Sequence, residues 1–341
     1  MKHKTFFWFI LPTFLAMFFF ITLPIISVIL QSFHTPHENV IVTVENCDPF
    51  GCKKVTTIDH EETKKLNQES PLGKFVGFDI YLDRGHLASD QVIEQWNKSE
   101  NFFHFLVLIS DLPFYKAIFF TLTFTFTVTP IMLVFGLLIA LGVNKINQKL
   151  KGLIIFFSLL PMIVTPLIGS IILFWMIDSR GIIGNFIQFL FEDQNLSLKA
   201  STYLTWITLI IYGVWHAIPF SFIVFYAGLQ TLPQDQIESA QIDGANTFQQ
   251  TIHIIIPHIM PLITFVTLMQ LMDNFRVFEP IIGFNAEAHA TSLSWIIFND
   301  LGGETRQLSA AASSSILTII GIIILLLPVL IKTWKEFDFK K

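Results

Sequence analysis

Charge is what this 341-residue sequence has least of: 14% of its residues are Asp, Glu, Lys or Arg, against roughly 25% in soluble domains. So little charge, beside 37 phenylalanines, cannot cover a water-facing surface. That argues against a cytosolic enzyme and a disordered segment. Basic residues are the scarcer sign, 21 against 26 acidic ones for a formal net charge of −5, so nucleic acid has no basic footprint to bind. Two cysteines cannot make a disulfide scaffold. No G-x-x-x-x-G-K-[ST] phosphate loop is present, so ATP hydrolysis by this chain is not expected. No H-E-x-x-H occurs either, and His253 and His258 are misaligned on a helix at i, i+5, so no metal site and no catalytic constellation is expected.

What is abundant is apolar sequence, 52% of residues with a mean hydropathy of +0.61. A bilayer-crossing helix needs about 20 apolar residues, at about 1.5 Å rise through a core of about 30 Å. Five runs free of Lys, Arg, Asp and Glu meet that length: 6–30, 117–143, 152–177, 200–229 and 308–331. A sixth, 259–283, carries Asp273, Arg276 and Glu279 and is counted because its flanks fit. The expectation is an all-α membrane protein of six spans. Lys2, Lys4, Lys145, Lys149, Lys151, Lys332, Lys335, Lys340 and Lys341 fall on one side, and Arg180, Lys199 and Arg306 on the other. The positive-inside rule then places both termini in the cytoplasm. The first run, 25 residues with no A-x-A site after it, is too long for a signal peptide.

The organisation expected is a first transmembrane helix over 1–30, an external insertion over 31–111, and a membrane core over 112–341. The insertion holds 13 acidic and seven basic residues, net −6. Residues 39–46 and 53–59 alternate like strands. Between them, Asp48-Pro49-Phe50-Gly51 suits a type I turn that would set Cys47 opposite Cys52, and a disulfide is expected there. Residues 84–110 read as one or two helices, with Trp96, Phe102, Phe103 and Phe105 available to pack on the membrane surface. The region is either a spacer with local folds or a docking surface.

An inner loop should be basic, yet residues 230–258 hold no Lys or Arg and carry Asp235, Glu238 and Asp243. Pro233 suits the first turn of a helix, and the acids suit its positive end. Ile237, Ala240, Gln241 and Gly244 share one face by the i, i+3, i+4, i+7 rule, and Asp243-Gly244 breaks the helix before a second helical run. A short acidic helix pair with a small-residue face suits docking in a groove of another protein.

The spacing Glu238-Ser239-Ala240, three residues, Gly244, nine residues, Ile254-Ile255-Ile256-Pro257 resembles the EAA motif of binding-protein-dependent ABC importer permeases. Ser239 and Ile256 depart from that family's pattern, E-A-A-x3-G-x9-I-x-L-P. Phe75-Val76-Gly77, Tyr81, Phe114, Ala117, Thr121, Leu122, Gly136 and Leu137, then Trp215, Pro219, Phe220, Ala227-Gly228-Leu229-Gln230 and Pro233, are similar to the maltose and glycerol-phosphate type of carbohydrate permease. The likeness runs from Phe75 to the C-terminus, plus the first span. Gly283-Phe284-Asn285-Ala286-Glu287 stands where that subfamily often has a Gly-Gly-Pro turn.

The resemblance implies a type I importer permease fold in a bacterial inner (plasma) membrane. It also implies a second permease subunit, two ATPase subunits holding ATP and magnesium, and a periplasmic substrate-binding protein, with membrane lipid as surroundings. Glu238, Ser239, Ala240, Asp243, Gly244 and Pro257 would couple to the ATPase. The cargo would be a sugar, polyol or sugar phosphate, moved by alternating access, and no cofactor would sit on this chain. Asp273, Arg276 and Glu279, at i, i+3, i+6, are either a self-neutralising cluster in one helix or, with Asn274, part of the transport path; the resemblance favours the path. His216 reads more as a helix-packing residue than as a functional one. Pro130, Pro161 and Pro166 are hinges or kinks. The competing reading is an ion-coupled secondary carrier using Asp273, Arg276 and Glu279 as its relay.

Overall fold

The computed structural model describes residues 2–37, 40–48, 51–83, 85–193, 196–302 and 307–338, the side chains of 2–5, 43–48, 51–58, 60, 67 and 336–338 excepted. Among these, five helices are long and apolar enough to cross a bilayer: Phe6–Gln31, Pro113–Lys145, Thr202–Leu229, Thr247–Phe275 and Leu308–Lys335. The expected span 152–177 is instead a pair, Gln148–Ile163 and Pro166–Met176, bent by 93°. The count is five, or six if the bent pair crosses as one.

The chain divides into two compact units, Met1–Tyr115 with Ile296–Ile319 and Lys116–Trp295 with Ile320–Lys341. The first opens with α1 (Lys2–Met17), a π-helical turn (Phe18–Thr22) and α2 (Leu23–Gln31). Strands β1 (His34–Thr35), β2 (Ile41–Asp48) and β3 (Gly51–Ile58) follow, then α3 (His60–Glu69), β4 (Lys74–Phe75), α4 (Asp79–Leu82), α5 (Ser89–Lys98) and α6 (Phe102–Ser110). β1 pairs antiparallel with β4, and β2 with β3, in a register that sets Cys47 opposite Cys52. The type I turn expected between them falls on Pro49 and Phe50, outside the described residues. Asp59 caps α3 by accepting from the Glu61 and Glu62 amides at 2.9 and 3.1 Å, the bond an N-cap side chain supplies to otherwise unpaired N–H groups. Where α2 ends, the Tyr81 hydroxyl donates to Ser32 Oγ at 2.7 Å and Gln31 Nε2 to Ser309 Oγ at 3.2 Å. Burial in this unit pushes the Asp300 carboxyl above its ordinary value, with the charge of nearby His86 pulling it back.

The remaining helices begin with α7 (Pro113–Lys145), which starts in the first unit and continues in the second. After it come α8 (Gln148–Ile163), α9 (Pro166–Met176), α10 (Ile182–Phe191), α11 (Thr202–Leu229), α12 (Gln234–Ile242) and α13 (Thr247–Gln250). A π-helical turn (Thr251–Ile255) leads into α14 (Ile256–Phe275), followed by α15 (Glu279–Gly283), α16 (Leu293–Gly302) and α17 (Leu308–Asp338). Phe120, Phe124, Val128 and Met132 of α7 are buried with Leu209, Phe222 and Phe225 of α11 and Ile259 and Val266 of α14. Lipid is as apolar as these side chains, so tight packing rather than escape from water holds such helices together. Gly228 sits at this contact: a Cβ there would lie 2.5 Å from Leu262 Cδ1 and 3.1 Å from Ile259 Cγ2, so the α14 side chains would have to give way. Lys199 Nζ, in the loop after α10, meets Asp178 Oδ2, in the loop after α9, at 3.0 Å and stands 3.4 Å above the Phe174 ring. The hydrogen bond from Lys199, with a second from the Arg180 amide, holds the Asp178 carboxyl below its ordinary value.

Candidate functional site

The loop 230–258 is built by three local devices. Pro233 precedes α12 with φ −62° and ψ 125°, and Asp235 lies in the helix's first turn. At its other end the Gly244 amide donates to the Gln241 carbonyl at 3.1 Å and the Ala245 amide to the Ala240 carbonyl at 2.9 Å. That bond pair is a Schellman stop, which needs a left-handed residue at its turn. Gly244 supplies it with φ +79°. A Cβ at Gly244 would meet nothing within 4 Å, so backbone angle and not crowding within this chain calls for glycine. Two residues on, Asn246 and Gln249 exchange hydrogen bonds of 2.8 and 2.9 Å in a capping box. It starts a continuous rod, Thr247–Phe275.

Which face α12 presents is now visible. Ile237 and Ala240 are half-buried, while Asp235, Glu238, Gln241 and Gly244 are exposed. The face expected to dock is therefore split: Ile237 and Ala240 are half-covered, and Ala240 lines the groove facing the start of the rod. Ile242 and Phe248 stand out at 86% and 72% exposure. Sequence reasoning passed over both, though two large apolar residues in a polar loop were signal enough. Between α12 and the rod lies a groove of about 710 Å³ lined by Asp235, Ser239, Ala240, Asp243, His253, Pro257 and His258 among others. Four of the six coupling candidates, Ser239, Ala240, Asp243 and Pro257, line this groove; Glu238 and Gly244 do not. His258 Nε2 lies 3.1 Å from Thr231 Oγ1, fastening the rod to the end of α11. Among the described residues no three His, Cys, Asp or Glu side chains group as a metal would require.

The bent pair is the second feature of note. Val164 and Thr165 are extended, with ψ of 125° and 146°, ahead of Pro166, as the residue before a proline prefers. Pro161 stays within α8, and Pro130 within α7. The break strands carbonyls that must be satisfied inside a membrane. His216 Nε2 lies 3.1 Å from the Val164 oxygen, and the Tyr212 hydroxyl donates to the Pro166 oxygen at 2.8 Å. Both side chains come from α11.

The charged cluster does not share one helix. α14 ends at Phe275, and Arg276 has left the helical region with φ −97° and ψ 20°. In an unbroken helix the Pro280 ring would strike the Arg276 carbonyl four residues back and leave it without a donor. Glu279 therefore opens the separate helix α15. Arg276 pairs with Asp273 at 2.9 Å, both side chains more than half exposed, and among the described residues no ion pair reaches Glu279. Asn274 turns the other way: it is buried, and its amide donates to Thr129 Oγ1 on α7 at 3.0 Å. Of the four path candidates, three are exposed and Asn274 packs helices. The Cys47 and Cys52 side chains lie outside the described residues.

Residues 112–334 match the family described as the binding-protein-dependent transport system inner membrane component. The trehalose/maltose transport system permease protein MalF of Thermococcus litoralis is 27% identical over 199 residues, 58% of this chain and 67% of its own length. The multiple sugar-binding transport system permease protein MsmF of Streptococcus mutans is 29% identical over 242 residues, 69% of this chain and 81% of its own. The sn-glycerol-3-phosphate transport system permease protein UgpA of Yersinia enterocolitica is 26% identical over 245 residues, with the same two shares, 69% and 81%. Among solved structures, a bacterial ABC transporter involved in the import of the acidic polysaccharide alginate shares the fold, with a TM-score of 0.60 at 20% identity over 81% of this chain and 96% of that one.

Proposed function

This chain belongs to the family of binding-protein-dependent transport system inner membrane components, and from that premise we propose that it carries a carbohydrate or sugar phosphate inward through an ATP-driven importer. The cargo class rests on relatives named for trehalose/maltose, multiple sugars and glycerol-3-phosphate. The observation that carries the coupling is the loop 230–258: a short helix stopped by Gly244, restarted by Asn246, and offering Glu238, Ile242 and Phe248 outward. On this reading α12 seats in an ATPase subunit. Glu238 meets a basic or amide group there, and Ile242 and Phe248 enter apolar pockets. The two ATPase subunits hold the ATP and magnesium, a second permease completes the pore, and a binding protein delivers cargo from outside. Both termini then lie in the cytoplasm.

The ion-coupled carrier finds no support. The family match takes in the whole charged cluster, and the relay it needs is divided between two helices.

The test is isolation with partners. The purified complex should contain an ATPase whose hydrolysis rises with a sugar from a carbohydrate panel. Glu238→Lys should release the ATPase or abolish that response while insertion persists. A variant that keeps both the ATPase and uptake would refute the coupling role.

A further inference from the structure

Helices α5 and α6 lie outside the matched residues 112–334 and have no part in the reading above. They form a hairpin, with the Trp96 ring meeting Phe105 edge-on at 4.9 Å. Gln91, Val92 and Gln95 of α5 and Phe105, Leu106 and Ile109 of α6 are buried or half-buried. The opposite residues are apolar and uncovered: Ile93 and Trp96 on α5, and Phe102, Phe103 and Val107 on α6, with Phe103 80% exposed. Helical spacing groups Ile93 with Trp96 and Phe103 with Val107. Glu94 and Lys98 pair at 2.6 Å on the polar side of α5.

Where the hairpin is tied says what covers it. One residue before α5, Ala88 is buried, and the Leu87 carbonyl accepts from the hydroxyl of Tyr115, in the first turn of α7, at 3.0 Å. The same loop is held through Tyr81 to Ser32, the residue after the span Phe6–Gln31. At the other end only Asp111 and Leu112 separate α6 from Pro113, where α7 begins. Both ends of the hairpin thus leave from the level at which two membrane helices end. Helices of 10 and 9 residues are too short to cross a bilayer, and are long enough to lie in its interface, where Trp and Phe are at home.

We propose that the α5–α6 hairpin lies in the outer leaflet's interface, with Ile93, Trp96, Phe102, Phe103 and Val107 at the headgroup–acyl boundary. It anchors the external insertion to lipid. The proposal rests on the membrane-spanning reading and on the proposed cytoplasmic termini, and on neither cargo nor coupling.

The full chain, with the subunits that co-purify, is placed in nanodiscs of ordinary or acyl-brominated phosphatidylcholine. After Cys47→Ser and Cys52→Ser, a bimane label is attached through Phe103→Cys or Val107→Cys, with Glu94→Cys as the polar control. Bromine should quench the labels at 103 and 107 about twofold or more over the control, and dissolved iodide should quench in the reverse order. Equal bromine quenching at all three sites overturns the proposal. So does shielding from iodide at 103 and 107 without bromine quenching, which would put a protein on that face. The two label positions are independent, so a failure to assemble at one leaves the other to decide.

Discussion

Gly244 separates two reasons for a glycine that sequence alone leaves joined. Its φ of +79° disfavours any side chain, while the space around it is open. Left-handed backbone costs an L-residue about 1–2 kcal/mol, and Asn tolerates it best among them. Gly244→Asn should therefore keep more ATPase-coupled uptake than Gly244→Ala at equal expression. The opposite order would show that the surface of a partner, and not the backbone, excludes side chains there. Arg276 invites a second residue-level test. Among the described residues its ion-pair partner is Asp273, and an exposed pair contributes only about 0–1 kcal/mol. Arg276→Ala should leave insertion and melting nearly unchanged and impair uptake. Adding Asp273→Asn should restore uptake only if the pair is structural, with Glu279 left untouched in either case.

At the scale of elements, the bend between α8 and α9 stands on two hydrogen bonds from α11. Removing a partner from a buried carbonyl costs about 1–3 kcal/mol, and these two, half-buried, should fall at or below the lower end of that range. Tyr212→Phe and His216→Ala should each lower the melting temperature in detergent, and the double variant should exceed either alone. An unchanged melt in both would mean that water or lipid headgroups satisfy those carbonyls. The sequence made some elements plain and hid others for physical reasons. Uninterrupted apolar runs gave four of the spans, because a membrane helix must hide its whole backbone. Alternation gave the β2–β3 hairpin, and Asp243-Gly244 gave the break in the loop, while the Asn246 cap went unread. The bend needed His216 and Tyr212 to be seen facing Val164 and Pro166, a contact 46 to 52 residues away in the chain. The end of α14 was legible in Pro280, whose clash with the Arg276 carbonyl follows from covalent geometry. In the hairpin, residues opposite one another in an antiparallel pair have Cα atoms about 4.5–5.5 Å apart, within reach of a disulfide. Cys47 and Cys52 should resist a membrane-impermeant maleimide until reductant is added. Ready labelling of both without it would exclude the bond.

For the whole molecule, what matters is how little this chain covers of itself. In the span Phe6–Gln31 the most apolar window has no buried residue, so lipid or another subunit must line it. On the proposed function this chain should not transport alone. Vesicles holding only this protein should show no uptake under a proton or sodium gradient, and adding the partner subunits with ATP should start it. Gradient-driven uptake by the isolated chain would return the carrier reading to contention. The continuous rod Thr247–Phe275 has a mechanical meaning. Its 29 residues make a lever about 43 Å long, at about 1.5 Å per residue. It begins beside α12 and ends beside Asp273 and Arg276. A tilt of about 5° imposed at the loop sweeps the far end through about 4 Å, more than the reach of a hydrogen bond. On the proposed coupling, a small push at the loop would be converted, by leverage alone, into contacts exchanged at the far end of the rod.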